Sequence, residues 1–181
     1  MRNDKKFLCV SKRAFVWQVF GLVGSALVVH TRSAGAHHGW SSFDDASPIY
    51  LEGIIKSVRW QNPHAELIVE VATGIAMPGN LASRIPAQQA SIDAAGIVSK
   101  TKSPNPATNA SANTKGGWEV ELAPLQRMNA WQMSAPAVGS KIALIGYTFA
   151  DQKPDSKGTH ILRAEFVFVG DKTYALRSGP V

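Results

Sequence analysis

The chain has 181 residues, enough for one domain of ordinary size, and 19 Lys and Arg against 13 Asp and Glu give it a formal charge of +6. Most of that excess lies in residues 1–36, with six basic residues and one acid; from His37 onward thirteen basic residues face twelve acidic ones, a net +1. So neutral a body has no basic stripe for a phosphate backbone, which argues against a nucleic-acid partner.

The N-terminus accounts for the charge. A basic stretch up to Arg13 precedes the apolar run Ala14 to Val29, broken only by Gln18 and Ser25, and then Ser33-Ala34-Gly35-Ala36 offers an A-x-A cleavage site. This pattern predicts a secretory signal over 1–36 and a single exported domain over 37–181, periplasmic or secreted. An uncleaved anchor is the competing reading, but the run is short for a span, so none is expected after cleavage. Ser11-Lys12-Arg13-Ala14-Phe15-Val16 resembles a twin-arginine export signal with Lys in place of the first Arg. The only cysteine, Cys9, falls in the leader, so the exported part has neither a disulfide nor a thiolate metal site.

After the polar stretch His37 to Ser47, Ile49 to Trp60 reads as a first strand. Its apolar face changes parity near Gly53-Ile54-Ile55, which predicts a bulge or a bend. Gln61-Asn62-Pro63 is a corner, with Pro presetting φ and the Asn side chain free to bond backbone. Ala65, Leu67, Val69 and Val71 alternate with Glu66 and Glu70 as a second strand. Residues 72–117, rich in Ala, Ser, Thr, Asn, Gly and Pro, read as a long inserted loop, partly flexible, with a short helix over 86–96 between Pro86 and Gly96. Such a connection is unusual within a compact domain and is either disordered or functional; a tolerated insertion is the reading preferred.

Trp118, Val120 and Leu122 form a third strand, and Pro124 to Trp131 a helix whose Leu125, Met128 and Trp131 plug one end of the core. Lys141 to Phe149 is a fourth strand. Thr159 to Val169 is a fifth, with Leu162, Ala164, Phe166 and Phe168 on one face, and Lys172 to Leu176 a short sixth after the Gly170-Asp171 turn. Five to six short strands with one helix between the third and fourth predict a mainly β fold, a small OB-like barrel; an open sandwich is the competitor.

The chemistry-bearing candidates are few. Cleavage after Ala36 would leave His37 at the new terminus, where its amine and imidazole chelate one ion together. A third nitrogen from His64 or His160 would complete a set suited to Cu(II), with His38 a further candidate. Cleavage after Ala34 would instead put His37 third behind a free amine, a square-planar Cu(II) or Ni(II) chelate, but it sets Arg32 where small residues are favoured. Against this stands the plain reading of two polar histidines near a terminus. His64 alone reads as structural, its ring bonded to a backbone group. Trp60, Trp118 and Trp131 read as core before they read as a groove, and Trp60 with Asn62 marks a candidate ligand face. Asp44, Asp45, Glu119 and Glu121 lack an evident acid–base partner, and no nucleophile elbow, phosphate loop or zinc-protease motif is present. An enzyme is the less favoured expectation.

Ala36-His37-His38-Gly39, Phe43-Asp44, Gly53-x-Ile55 and above all Val58-Arg59-Trp60-Gln61-Asn62-Pro63-His64 resemble a family of small exported bacterial proteins, the domain of unknown function numbered 6152. Trp118-Glu119-Val120-Glu121-Leu122, Gly146-Tyr147 and Arg163-Ala164 extend the likeness over most of residues 36–177. The resemblance implies an exported β-barrel and supplies no activity; the long 72–117 segment departs from it. Two readings stand: a binding module taking copper at its N-terminal histidines, or a metal-free module for a small ligand or a periplasmic protein.

Overall fold

The structure is a computed structural model and describes residues 40–72, 74, 76–88, 92–102, 117–150 and 159–181. Residues 1–39, with His37 and His38, residues 103–116 and the tip of the predicted fourth-to-fifth strand loop (151–158) lie outside the described residues. The strands are β1 (Ile49–Arg59), β2 (Glu66–Val71), β3 (Trp118–Glu121), β4 (Lys141–Tyr147), β5 (His160–Val169) and β6 (Lys172–Ala175). The helices are α1 (Leu81–Arg84) and α2 (Ala94–Lys100) in the insertion, and α3 (Leu125–Ala130) between β3 and β4.

The strand order is β3-β2-β1-β4-β5-β6, and a parallel pairing of β3 with β5 closes the first five strands into a barrel with β6 added outside. This is the predicted OB-like order, helix included. β1 serves two neighbours because it bends: Ile49–Ile54 pair with β4, and Gly53–Arg59 pair with β2. Gly53 takes part in both ladders, and a Cβ there would stand 2.2 Å from the Glu70 carbonyl oxygen, so only glycine fits. The parity change falls one residue beyond the expected stretch, at Lys56, which bulges between Ile55 and Ser57. Leu51 and Ile55 before it, and Val58 after it, therefore reach the same core.

β5 departs from the sequence reading. Gly146 pairs with Ala164 but Ile145 pairs with Phe166, so Glu165 is the extra residue of a second bulge. Leu162, Ala164 and Val167 fill the barrel with Leu67, Val69, Val120 and Leu144. Phe166 and Phe168 turn outward instead, into a second apolar cluster with Tyr50 and Ile145. One continuous face was expected because every second residue is apolar; Val167, apolar as well, hides the switch.

The insertion covers that second cluster. Leu81 of α1 and Val98 of α2 are buried in it. The helix expected over 86–96 lies elsewhere: α2 starts at Ala94, where Asp93 accepts a bond from Gly96 N at 2.8 Å as N-cap. Pro86 stays outside it and Gly96 lies within its first turn. A capping carboxylate satisfies an amide that proline at the first helical position leaves unserved. α3 is the expected plug, with Met128 fully buried and Leu125 and Trp131 packed on the core. Asn62 Oδ1 accepts from Leu125 N at 3.1 Å, tying the β1–β2 corner to the start of α3.

Candidate functional site

The outer face of β2 and β3 carries the charges. With Leu67, Val120 and Leu162 pointing into the barrel, the residues next to them in sequence must point out. The register sets Arg59 beside Glu66, Glu66 beside Glu121, and Glu121 beside Arg163. One row thus crosses four strands with signs plus, minus, minus, plus. Arg59 is ion-paired to Glu66, its Nε donating to Oε2 at 2.8 Å, and Lys56 pairs with Glu70 at 2.6 Å.

His64 joins this row at its centre. It leaves the Asn62-Pro63 corner half-buried, and its Nδ1 stands 2.9 Å from Glu121 Oε1. A carboxylate stands at this nitrogen because the β2–β3 register carries Glu121 to the start of β2. Arg163 Nη1 approaches the same oxygen at 3.4 Å, with the arginine itself almost fully buried. A carboxylate at Nδ1 favours the tautomer with the proton there, and so fixes the orientation of the ring. The guanidinium continues over the Phe43 ring at 5.7 Å, and Phe43 stacks on Phe149 at 4.7 Å. The contacts run from His64 to the Trp40–Ser42 turn, where the described chain begins.

The other candidates fall apart from this point. His160 is buried and stacked on Trp118 at 4.9 Å. It pairs with Trp118 at the far end of β3 and β5 from Glu121 and Arg163, roughly 10 Å away along the strand. Trp118 is core, Trp60 packs half-buried against it, and Trp131 donates from Nε1 to the Ser178 carbonyl at 2.7 Å. Asn62 is engaged at α3. His37 and His38 lie outside the described residues. Arg163 and the role of Glu121 escaped the sequence reading, since only the parallel β3–β5 register brings them together. Among the described residues, no three of His, Cys, Asp and Glu come together as a ligand set for a metal ion.

A second buried charge lies on the far side of Arg163. Glu165, the bulged residue of β5, is fully buried, and Arg177 Nη2 pairs with its Oε2 at 2.7 Å. Burial pushes the Glu165 carboxyl up, with the Arg177 charge opposing. Arg177 also donates to the Tyr147 hydroxyl at 3.3 Å; burial and then the Glu165 charge push that phenol up to about 12. Ser41, Phe43, Asp45 and Arg177 line a cleft of about 410 Å3 beside them.

Among the described residues, no helix is long and apolar enough to cross a membrane. No curated protein and no solved structure matches the chain. Residues 26–78, which include the His-His pair, β1, the Trp60 to His64 corner and β2, match the model of the Family of unknown function (DUF6152).

Proposed function

We propose that the chain is an exported, periplasmic binding module that takes up Cu(II) through the amine and imidazole of an N-terminal His37, with His64 and His38 as further nitrogen ligands. The observation that carries this reading is the 2.9 Å contact between His64 Nδ1 and Glu121 Oε1. A carboxylate behind one ring nitrogen is the outer-shell arrangement that orients metal-binding histidines. Within the described residues, the Trp40–Ser42 turn leads to Phe43, which is in contact with Arg163 and through it with Glu121. A copper ion at such a set would be held by imidazole and amine nitrogens. Among the protein's own groups, Glu121 would hold the His64 ring and Arg163 would hold Glu121.

The test is a Cu(II) titration of protein purified from the periplasm of its host, followed by electron paramagnetic resonance. A chain starting at His37, several nitrogen ligands, and an affinity that collapses in His37→Ala and weakens in His64→Ala are expected. A different terminus with no tight binding rejects the proposal.

A further inference from the structure

The chain beyond β6 is fastened to three parts of the fold in turn. Leu176 N donates to the carbonyl of Glu165, the bulged residue of β5, at 2.8 Å. Arg127 of α3 donates to the carbonyls of Leu176, at 3.1 Å, and of Arg177. Trp131, at the end of the same helix, donates from Nε1 to the Ser178 carbonyl at 2.7 Å. Ser178 Oγ donates to Gln88 Oε1 in the insertion at 3.1 Å, and Pro180 bridges to Gln88. Residues 176–180 thus form a strap across barrel, plug helix and insertion. Among the described residues, the strap sets charge against charge at one point, Arg177 with Glu165.

That point is incompletely built on the carboxylate side. Glu165 is fully buried; Arg177 Nη2 stands 2.7 Å from Oε2, and Oε1 has no hydrogen-bond donor among the described residues. A buried ion is stabilised only where an opposite charge and donors on its remaining lone pairs together replace water. The neighbouring groups do not complete the set. The Tyr147 hydroxyl of β4 accepts from Arg177 at 3.3 Å, and Asp45, across the cleft, adds a second negative charge. Arg163, on the same strand, is paired with Glu121. Burial therefore pushes the Glu165 carboxyl up against the opposing pull of Arg177. Water has a route to the pair, because Arg177 lines the cleft that it shares with Ser41, Phe43 and Asp45.

We propose that this strap is a pH-sensitive latch, closed while Glu165 holds a proton and increasingly open once that carboxyl has lost it to water. The ionised carboxylate is better solvated with the strap lifted than in its niche, whereas the neutral acid gains far less. The closed form thus binds the proton more tightly than the open one, and rising pH shifts the balance toward open. Opening breaks the bonds from Trp131 and to Gln88, so that α3 and the insertion lose their common tether. The latch uses none of the proposed copper ligands and stands apart from that reading.

The test is amide and indole hydrogen exchange of the purified protein as a function of pH, each rate divided by its intrinsic rate, with the Glu165 carboxyl carbon shift followed alongside. The carboxyl should titrate above the ordinary glutamate range. The Leu176 amide and the Trp131 indole should be protected at least about tenfold less than the Leu144 amide in the barrel, as local opening requires. Their protection should fall at least about threefold between about pH 4 and about pH 7, and Glu165→Gln should abolish the fall. Protection equal to that of Leu144, no fall in the parent, or an undiminished fall in Glu165→Gln overturns the proposal. So does a Glu165 shift that titrates in the ordinary range. The parent's own profile decides the matter even where Glu165→Gln disturbs the β5 bulge.

Discussion

Glu121 serves two neighbours at once, an imidazole and a buried guanidinium. Replacing it with Gln keeps the shape but removes the charge that Arg163 was buried against. A hydrogen bond to a charged group contributes about 1.5–3 kcal/mol, and Glu121→Gln is expected to lose an amount in that range, read from urea unfolding. Its Cu(II) affinity should fall as well, while His64→Gln should weaken Cu(II) with a smaller loss of stability. Glu165 makes the opposite kind of prediction. Its carboxyl is raised in the folded protein, so the native state holds the proton more readily than the unfolded one. The stability it contributes is full below the unfolded pKa and is lost as pH rises through the folded one. Urea midpoints should therefore fall across that window in the parent protein, and the fall should be reduced in Glu165→Gln. Neither role was legible in the sequence. A lone Glu in an alternating strand reads as solvent-facing, and only the β2–β3 and β3–β5 registers and the β5 bulge give these two their partners.

Single residues redirect whole elements. The Lys56 bulge lets one strand belong to two ladders, and its trace, a parity change near Gly53-Ile54-Ile55, was visible in advance to within one residue. The Glu165 bulge left no such trace, because both faces of β5 are apolar when an inserted helix pair covers the outer one. Phe166 is fully buried there, and Phe166→Ala should cost about 3–5 kcal/mol. Leu81→Ala, across the same cluster, should cost about 2–5 kcal/mol by the same unfolding measurement. Because the two share one cavity, the double variant should lose less than the sum. If either substitution is close to neutral, the insertion does not contribute to the core. Asn62→Ala should cost about 1 kcal/mol, the worth of a capping bond, with Asn62→Ser partly restoring it.

At the level of the whole molecule, the proposal of export and the observed barrel closure rest on separate parts of the chain. Export is proposed from the leader alone: intact mass of protein from the periplasm should give a chain beginning at His37. A mass that retains residues 1–36 rejects both cleavage and the amine of the copper set. Mainly β content, the strand count, the plug helix and the bend in β1 were all readable from residue order, because alternation, apolar spacing and turn residues act between near neighbours. Closure rests on β3 meeting β5 in parallel, which also brings Arg163 to Glu121, and the β2–β3 register brings Glu121 to His64. Those pairings join residues forty or more positions apart. They are set by which apolar faces must be buried together, and no local pattern records that choice.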